Sequence, residues 1–340
     1  MIQDMIGGIV RHASLFIGSP LIGALLLLAP AALRAQTVWE MPTEYPENAM
    51  PGVGLAAFAK HVANLSAGKL TIKPSFDARA GIKSAAMLAA VAEGRVQAGD
   101  AFAGALEAED PIFALPSLPF LVTSDADARR LCDLARPHLA AALDKKGLRL
   151  LYLTPWPPSG IWSKTPLTKV SDLAGLSIRT YDKMSSEVFA RVGARAASIS
   201  FADTMPKLAN GDLNAVLSSG DGGAGRKLWD YLPYFSEITY SLPLSVAIVN
   251  KAAYDGLDSA QREAIDAASR QTETELWLVL STRLQENYAR MRQNGVTIDS
   301  NPAAITEALK SAAATAQRDW CSKAGVVCTQ ILDAFKEDKR

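Results

Sequence analysis

The chain has 340 residues, of which 49% are hydrophobic and 21% charged, enough apolar material for one large core or two ordinary ones. Its 35 basic residues balance its 35 acidic ones, so there is no basic excess to bind nucleic acid or an anionic membrane surface. Its partners are expected to be small molecules or proteins.

In chain order, residues 1–35 read as a secretory signal peptide. Arg11 precedes an apolar run from Leu21 to Leu28, and small residues end at Ala35, where cleavage is expected. Thr37 to Met41 reads as the first strand of the mature protein, with Pro42 to Gly54 as the loop leaving it. Glu44 and Tyr45 stand on that loop at a strand end, where a binding cleft finds its side chains. A helix over 55–65, a strand over 70–74, a helix over 84–93 stopped by Gly94, and a strand near 96–100 follow. This strand–helix alternation predicts an α/β lobe with a mostly parallel sheet.

Residues 110–121 carry three prolines and two phenylalanines. That is too much proline for a helix or a central strand, so an ordered apolar loop is expected. A helix over 126–146 and a strand over 148–153 lead into 154–160, Thr-Pro-Trp-Pro-Pro-Ser-Gly, which reads as a connector between two lobes. Trp156 and Trp162 flank it.

Beyond the connector, Leu176 and Ile178 alternate with Ser177 and Arg179, so a short strand sends an apolar pair inward and presents Arg179 at its carboxyl end. Asp182 is placed to cap a helix that Gly193 stops. A strand over 196–201, a short helix closed by Asn210-Gly211 and a strand over 213–217 complete a β-α-β-α-β unit. Ligands collect at the carboxyl ends of such strands, and a guanidinium there suits a carboxylate because its fork gives direction as well as charge. The plainer reading of Arg179 is a strand-end arginine paired with a surface acid.

Gly220 to Gly225 matches G-x-G-x-x-G, but Pro233 comes too early for the crossover helix of a dinucleotide fold. A tightly turned or mobile loop is expected instead, with Ser218, Ser219 and backbone N–H groups facing the cleft. A strand over 242–250, a long helix over 258–292 and last helices over 303–336, interrupted near Gly325, end the chain. Cys321 and Cys328 lie close enough to bridge a turn, while Cys132 reads as a small buried hydrophobe. His61 and His138 are the only imidazoles after residue 35, and no hydrolase, zincin or P-loop motif accompanies them. Neither cofactor nor metal is expected.

The stretch Asp172-Leu173-Ala174-Gly175-Leu176-Ser177-Ile178-Arg179, with Gly193-Ala194, Phe201-Ala202-Asp203 and Gly211-Asp212-Leu213-Asn214-Ala215, resembles the signature region of TRAP transporter solute-binding proteins. The Gly81 to Gly94 pattern is also common in that family. The resemblance implies an α/β, two-lobed periplasmic binding protein fold, with mixed, mostly parallel sheets and a ligand cleft between hinged lobes. Its lobes would be 36–155 plus 245–283 and 156–244 plus 284–330, with crossings near Pro155 and Tyr240 and a long helix bracing both. It implies a receptor, not an enzyme, located in the periplasm, monomeric or dimeric, that hands an organic acid to integral membrane permease subunits. Arg179 would hold the ligand carboxylate.

Two departures bear on the ligand. Many members carry a second arginine upstream, where this chain has Pro158-Ser159-Gly160-Ile161-Trp162. They also carry G-Q-E-N-P where it has Leu217-Ser218-Ser219-Gly220-Asp221. With one arginine in place, a monocarboxylate is expected, held by Arg179, Ser218 and Ser219 against a wall drawn from Tyr45, Trp156, Trp162, Tyr181 and Tyr240, with Glu44 nearby. A C4-dicarboxylate stays open if Arg79 or Arg226 also enters the cleft. A sensory binding protein without a permease also stays open, and an exported hydrolase has no motif behind it.

Overall fold

The computed structural model describes residues 36–300 and 302–337; the expected signal peptide and its cleavage point near Ala35 lie outside them. The elements run β1 (Thr37–Pro42), α1 (Met50–Leu65), β2 (Leu70–Ser75), α2 (Ser84–Ala92), β3 (Ala98–Phe102), α3 (Asp125–Asp144) and β4 (Leu148–Pro155). There follow β5 (Ser159–Ser163), β6 (Ser177–Thr180), α4 (Lys183–Arg191), β7 (Arg195–Ser198), α5 (Phe201–Ala209), β8 (Ala215–Ser219), α6 (Gly220–Gly225) and β9 (Tyr234–Ser236). The chain ends with β10 (Leu244–Asn250), α7 (Lys251–Asp255), α8 (Ser259–Gln293), β11 (Thr297–Asp299), α9 (Ala303–Ala312), α10 (Ala316–Ala324) and α11 (Val326–Glu337).

The fold is two-lobed α/β. In the first lobe β1 pairs parallel with β2, and β10 lies between β3 and β4, antiparallel to both. The second lobe holds the six-stranded order β11-β9-β5-β8-β6-β7. Here β6 runs parallel to β7 and β8, so Arg179 leaves the carboxyl end of its strand beside Val216 and Ala197. Asp182 caps α4 by accepting the Ser185 N–H at 2.7 Å, and Gly193, with φ of +88°, takes the left-handed turn that stops it.

Two of the crossings between lobes, after β4 and before β10, are bonded side by side. Trp156 N–H donates to Pro243 O and Ser159 N–H to Ser241 O, both at 2.9 Å, while Tyr240 N–H returns a bond to Ser159 O. The connector is therefore shorter than expected, because Ser159 already begins β5 and pairs with Ser219 of β8. Three other expectations are corrected. α1 starts at Met50 with Pro51 in its first turn, the position that tolerates a missing N–H. The proline-rich stretch forms a 3-10 turn over Pro111–Ser117, capped by Asp110. Gly220 to Gly225 is a short helix, not a loop, since the Ser219 hydroxyl caps it by accepting the Gly222 N–H at 3.1 Å.

The 35-residue α8 buries Leu276 and Leu280 in the first lobe and Tyr288 and Met291 in the second, as a brace must. α9 packs Ile305 and Leu309 into the second lobe, whereas α10 and α11 put Trp320, Ile331 and Phe335 into the first lobe's core. The stretch 284–330 is thus shared between the lobes. Cys321 and Cys328 form a disulfide that joins α10 to α11, and Cys132 is a buried free thiol.

Candidate ligand-binding site

A small cavity opens where the carboxyl ends of β6 and β8 meet the loop after β1 and the paired crossings. Its walls are aromatic: Tyr45, Phe102, Trp156, Tyr181 and Phe201. Tyr45 sits 4.8 Å edge-on from Trp156 and 5.8 Å from Phe201, and Phe102 lies 5.1 Å from Tyr181. Offset and edge contacts of this kind fix ring planes, so the walls are rigid. Hydrogen bonds lock two of them further, Trp156 Nε1–H to Ser245 Oγ at 3.0 Å and the Tyr181 hydroxyl with Ser241 Oγ at 2.7 Å. The polar lining is Arg179 with Ser159, Ser218 and Ser219; Gly222 and Pro243 close the remainder.

Arg179 is only 3% exposed. Its Nε–H donates to Ile199 O at 2.9 Å and an Nη1–H to Leu217 O at 3.0 Å, which aims the fork while leaving donors over. Phe201 lies 5.1 Å from its guanidinium carbon. Among the described residues no carboxylate stands within ion-pair distance of it. Burial pulls its pKa below the ordinary arginine value, opposed chiefly by Tyr45 and Glu44, yet a guanidinium stays protonated. The plainer reading, a strand-end arginine paired with a surface acid, does not hold. A buried cation without a counter-ion is costly, and an incoming carboxylate would remove that cost.

The two other arginines considered for the cleft are engaged elsewhere. Arg226 donates to Glu44 O at 3.0 Å and pairs with Asp77 at 3.3 Å, and exposed Arg79 stands 3.9 Å from the same Asp77. Arg179 is therefore the one cation in the lining among the described residues.

Six of the nine residues expected at or around the site line this cavity: Arg179, Ser218, Ser219, Tyr45, Trp156 and Tyr181. Tyr240 is placed behind the wall, fully buried against Phe120, Tyr181 and Phe189. Trp162 also lies behind, against Phe235, with its Nε1–H on Ser219 O at 3.3 Å. Glu44 lines the larger adjoining cleft of about 800 Å³, and both its oxygens are occupied, by Ser84 N–H at 2.8 Å and Ala202 N–H at 3.1 Å. Sequence reasoning missed Phe102, Phe201, Ser159 and Pro243; only the strand-end position of Phe102 and the proline beside a crossing hinted at them.

The lining holds no imidazole and no carboxylate. His61 faces Glu275 at 3.0 Å elsewhere on the first lobe. Among the described residues no cluster of His, Cys, Asp or Glu fits a metal ion, and no helix is long and apolar enough to cross a membrane. The arrangement can hold an anion of modest size but pairs no nucleophile with a base.

Residues 42–323 match the family described as bacterial extracellular solute-binding protein, family 7. The fold is similar to DctP7, a Bordetella pertussis extracytoplasmic solute receptor binding pyroglutamic acid, with TM-score 0.85 and 32% identity over 88% of this chain and 99% of that one. DctP6 from the same organism, also binding pyroglutamic acid, gives 0.84 and 30% over 88% of this chain and all of its own. A marine metagenome TRAP solute-binding protein in complex with pyroglutamate gives 0.84 and 28% over 89% of this chain and 99% of its own.

Proposed function

The chain belongs to the bacterial extracellular solute-binding proteins of family 7, the receptors of TRAP transporters, and we propose that its cavity takes a small cyclic monocarboxylic acid of the pyroglutamic acid kind. Proteins of this family are extracytoplasmic receptors that bind organic acids and work with a membrane permease. The observation that carries the ligand reading is a single buried, unpaired guanidinium in an otherwise aromatic cavity. One carboxylate satisfies Arg179; a second would be buried without a cation, at a cost of several kcal/mol. The flat remainder of the acid lies between Tyr45, Trp156 and Phe201, and a ring amide finds donors and acceptors on Ser159, Ser218 and Ser219. Three relatives described as binding pyroglutamate support the same class. We assign 36–155 with 245–283 to one closing lobe and 156–244 with α9 to the other, with α10 and α11 riding on the first. Delivery is to the permease in the periplasm.

A thermal-shift screen of organic acids against residues 36–340 tests this. Pyroglutamate at 100 times its dissociation constant should add about 2.7 kcal/mol of stability, and C4-dicarboxylates little. Arg179→Lys, which keeps charge but loses the fork, should weaken pyroglutamate binding by about 2–3 kcal/mol in calorimetry. Stabilisation by succinate or malate with none by monocarboxylates would reject the ligand class, and an Arg179→Lys variant binding like the wild type would reject the site.

A further inference from the structure

Two carboxylates on either side of the cavity reach across the lobe boundary to helix starts. Glu44, on the loop after β1 in the first lobe, accepts the Ser84 N–H that opens α2 and also the Ala202 N–H in the first turn of α5, in the second lobe. Asp221, on α6 in the second lobe, accepts the Met50 N–H that opens α1 in the first lobe at 2.8 Å. Its other oxygen takes Arg283 Nε–H at 2.6 Å and Asn287 Nδ2–H at 3.0 Å from α8. Both acids are almost fully buried, at 2% and 1% exposure.

The first-lobe helices they serve lack caps of their own. The N-cap of α1 is Ala49 and that of α2 is Lys83, and neither side chain bonds the helix. Lys83 instead reaches across to Asp203 in the first turn of α5, with Nζ 2.7 Å from one oxygen and 2.8 Å from the other. A buried carboxylate on helix N–H groups is a strong, charge-assisted contact. Opening the cleft would strip α1 of its acceptor and leave Glu44 with one of its two partners.

We propose that Glu44 and Asp221 are positioning residues that clasp the two lobes in the closed form and so set how long the ligand stays, without touching it. The proposal rests on the receptor reading above. Because the bonds form after the acid has entered an open cleft, they act on release and not on encounter. In Glu44→Gln and Asp221→Asn one acceptor becomes an N–H donor that faces a donor.

The test is stopped-flow tryptophan fluorescence with pyroglutamate on the wild type, Glu44→Gln and Asp221→Asn, joined to backbone amide exchange in the pyroglutamate-saturated proteins. Each variant should release pyroglutamate about 10-fold to 100-fold faster, with an association rate within about 3-fold of wild type. In the saturated protein, Glu44→Gln should raise exchange at Ala202 and Asp221→Asn at Met50, while amides of the two sheets keep their rates. Equal losses in both rate constants, unchanged release, or faster exchange throughout the sheets would overturn the clasp. Should the wild type not bind pyroglutamate, the ligand assignment falls, and the same exchange comparison under saturating succinate tests the clasp separately, unaltered rates at Ala202 and Met50 overturning it.

Discussion

Asp100 is the residue whose surroundings suit its charge least. It is fully buried on β3, with Thr43 Oγ–H on one oxygen at 2.8 Å and no partner on the other. Burial pushes its pKa from 3.8 to about 7. The folded protein therefore holds this proton more tightly than the unfolded chain does. The neutral form's contribution is complete below about pH 4 and is lost as pH rises towards 7. Asp182, raised by burial to about 6, adds a slope of the same sign. Asp100→Asn should flatten the fall in melting temperature between pH 5 and 8 and stabilise the protein at pH 8 by about 2 kcal/mol. Parallel pH profiles for variant and wild type would show that Asp100 does not carry the effect. At this scale the sequence disclosed what local pattern can disclose. Arg179 was legible because strand alternation and its motif lie within eight residues, Asp172 to Arg179. Glu44 was placed near the cleft, but its bonds were not legible, since its partners stand 40 and 158 residues away.

At the level of elements, α6 shows why glycine was misread. A run of Gly220-Asp221-Gly222-Gly223 signals a turn by propensity, yet the residues form a helix capped by Ser219, with glycine at 222 and 223 because nothing larger fits there. A Cβ on Gly223 would stand 2.2 Å from Trp162 Cζ2, and one on Gly222 2.5 Å from Ser218 Oγ. Intrinsic propensity says alanine should gain about 1 kcal/mol here. We expect the reverse. Gly223→Ala should cost about 2–3 kcal/mol through the displaced indole, and ligand affinity should drop as Ser219 shifts. A melting temperature at or above wild type would refute it. Helices with their own caps, such as α4 behind Asp182 and α8 behind Asp258, were legible from sequence. β5 was not, because the strands that make it one, β8 and β9, arrive more than fifty positions later in the chain, at Ser219 and Ser236.

For the whole molecule, the bonds from Glu44 and Asp221 across the lobes mark this as the closed arrangement. Added pyroglutamate should therefore shrink the radius of gyration in small-angle scattering, and a profile indifferent to saturating ligand would mean that the lobes do not move. The interlocked order of the first lobe's sheet has one more consequence, for how the chain is made. β10 is the middle strand between β3 and β4, yet it is translated after β5 to β9. Nascent β3 and β4 have no native neighbour in each other and must wait, apolar faces exposed, until the inserted lobe has been synthesised. Strands β5 to β9 can therefore pair before the first lobe's central sheet closes, and that closure is a non-local strand insertion, the slow and aggregation-exposed class of folding step.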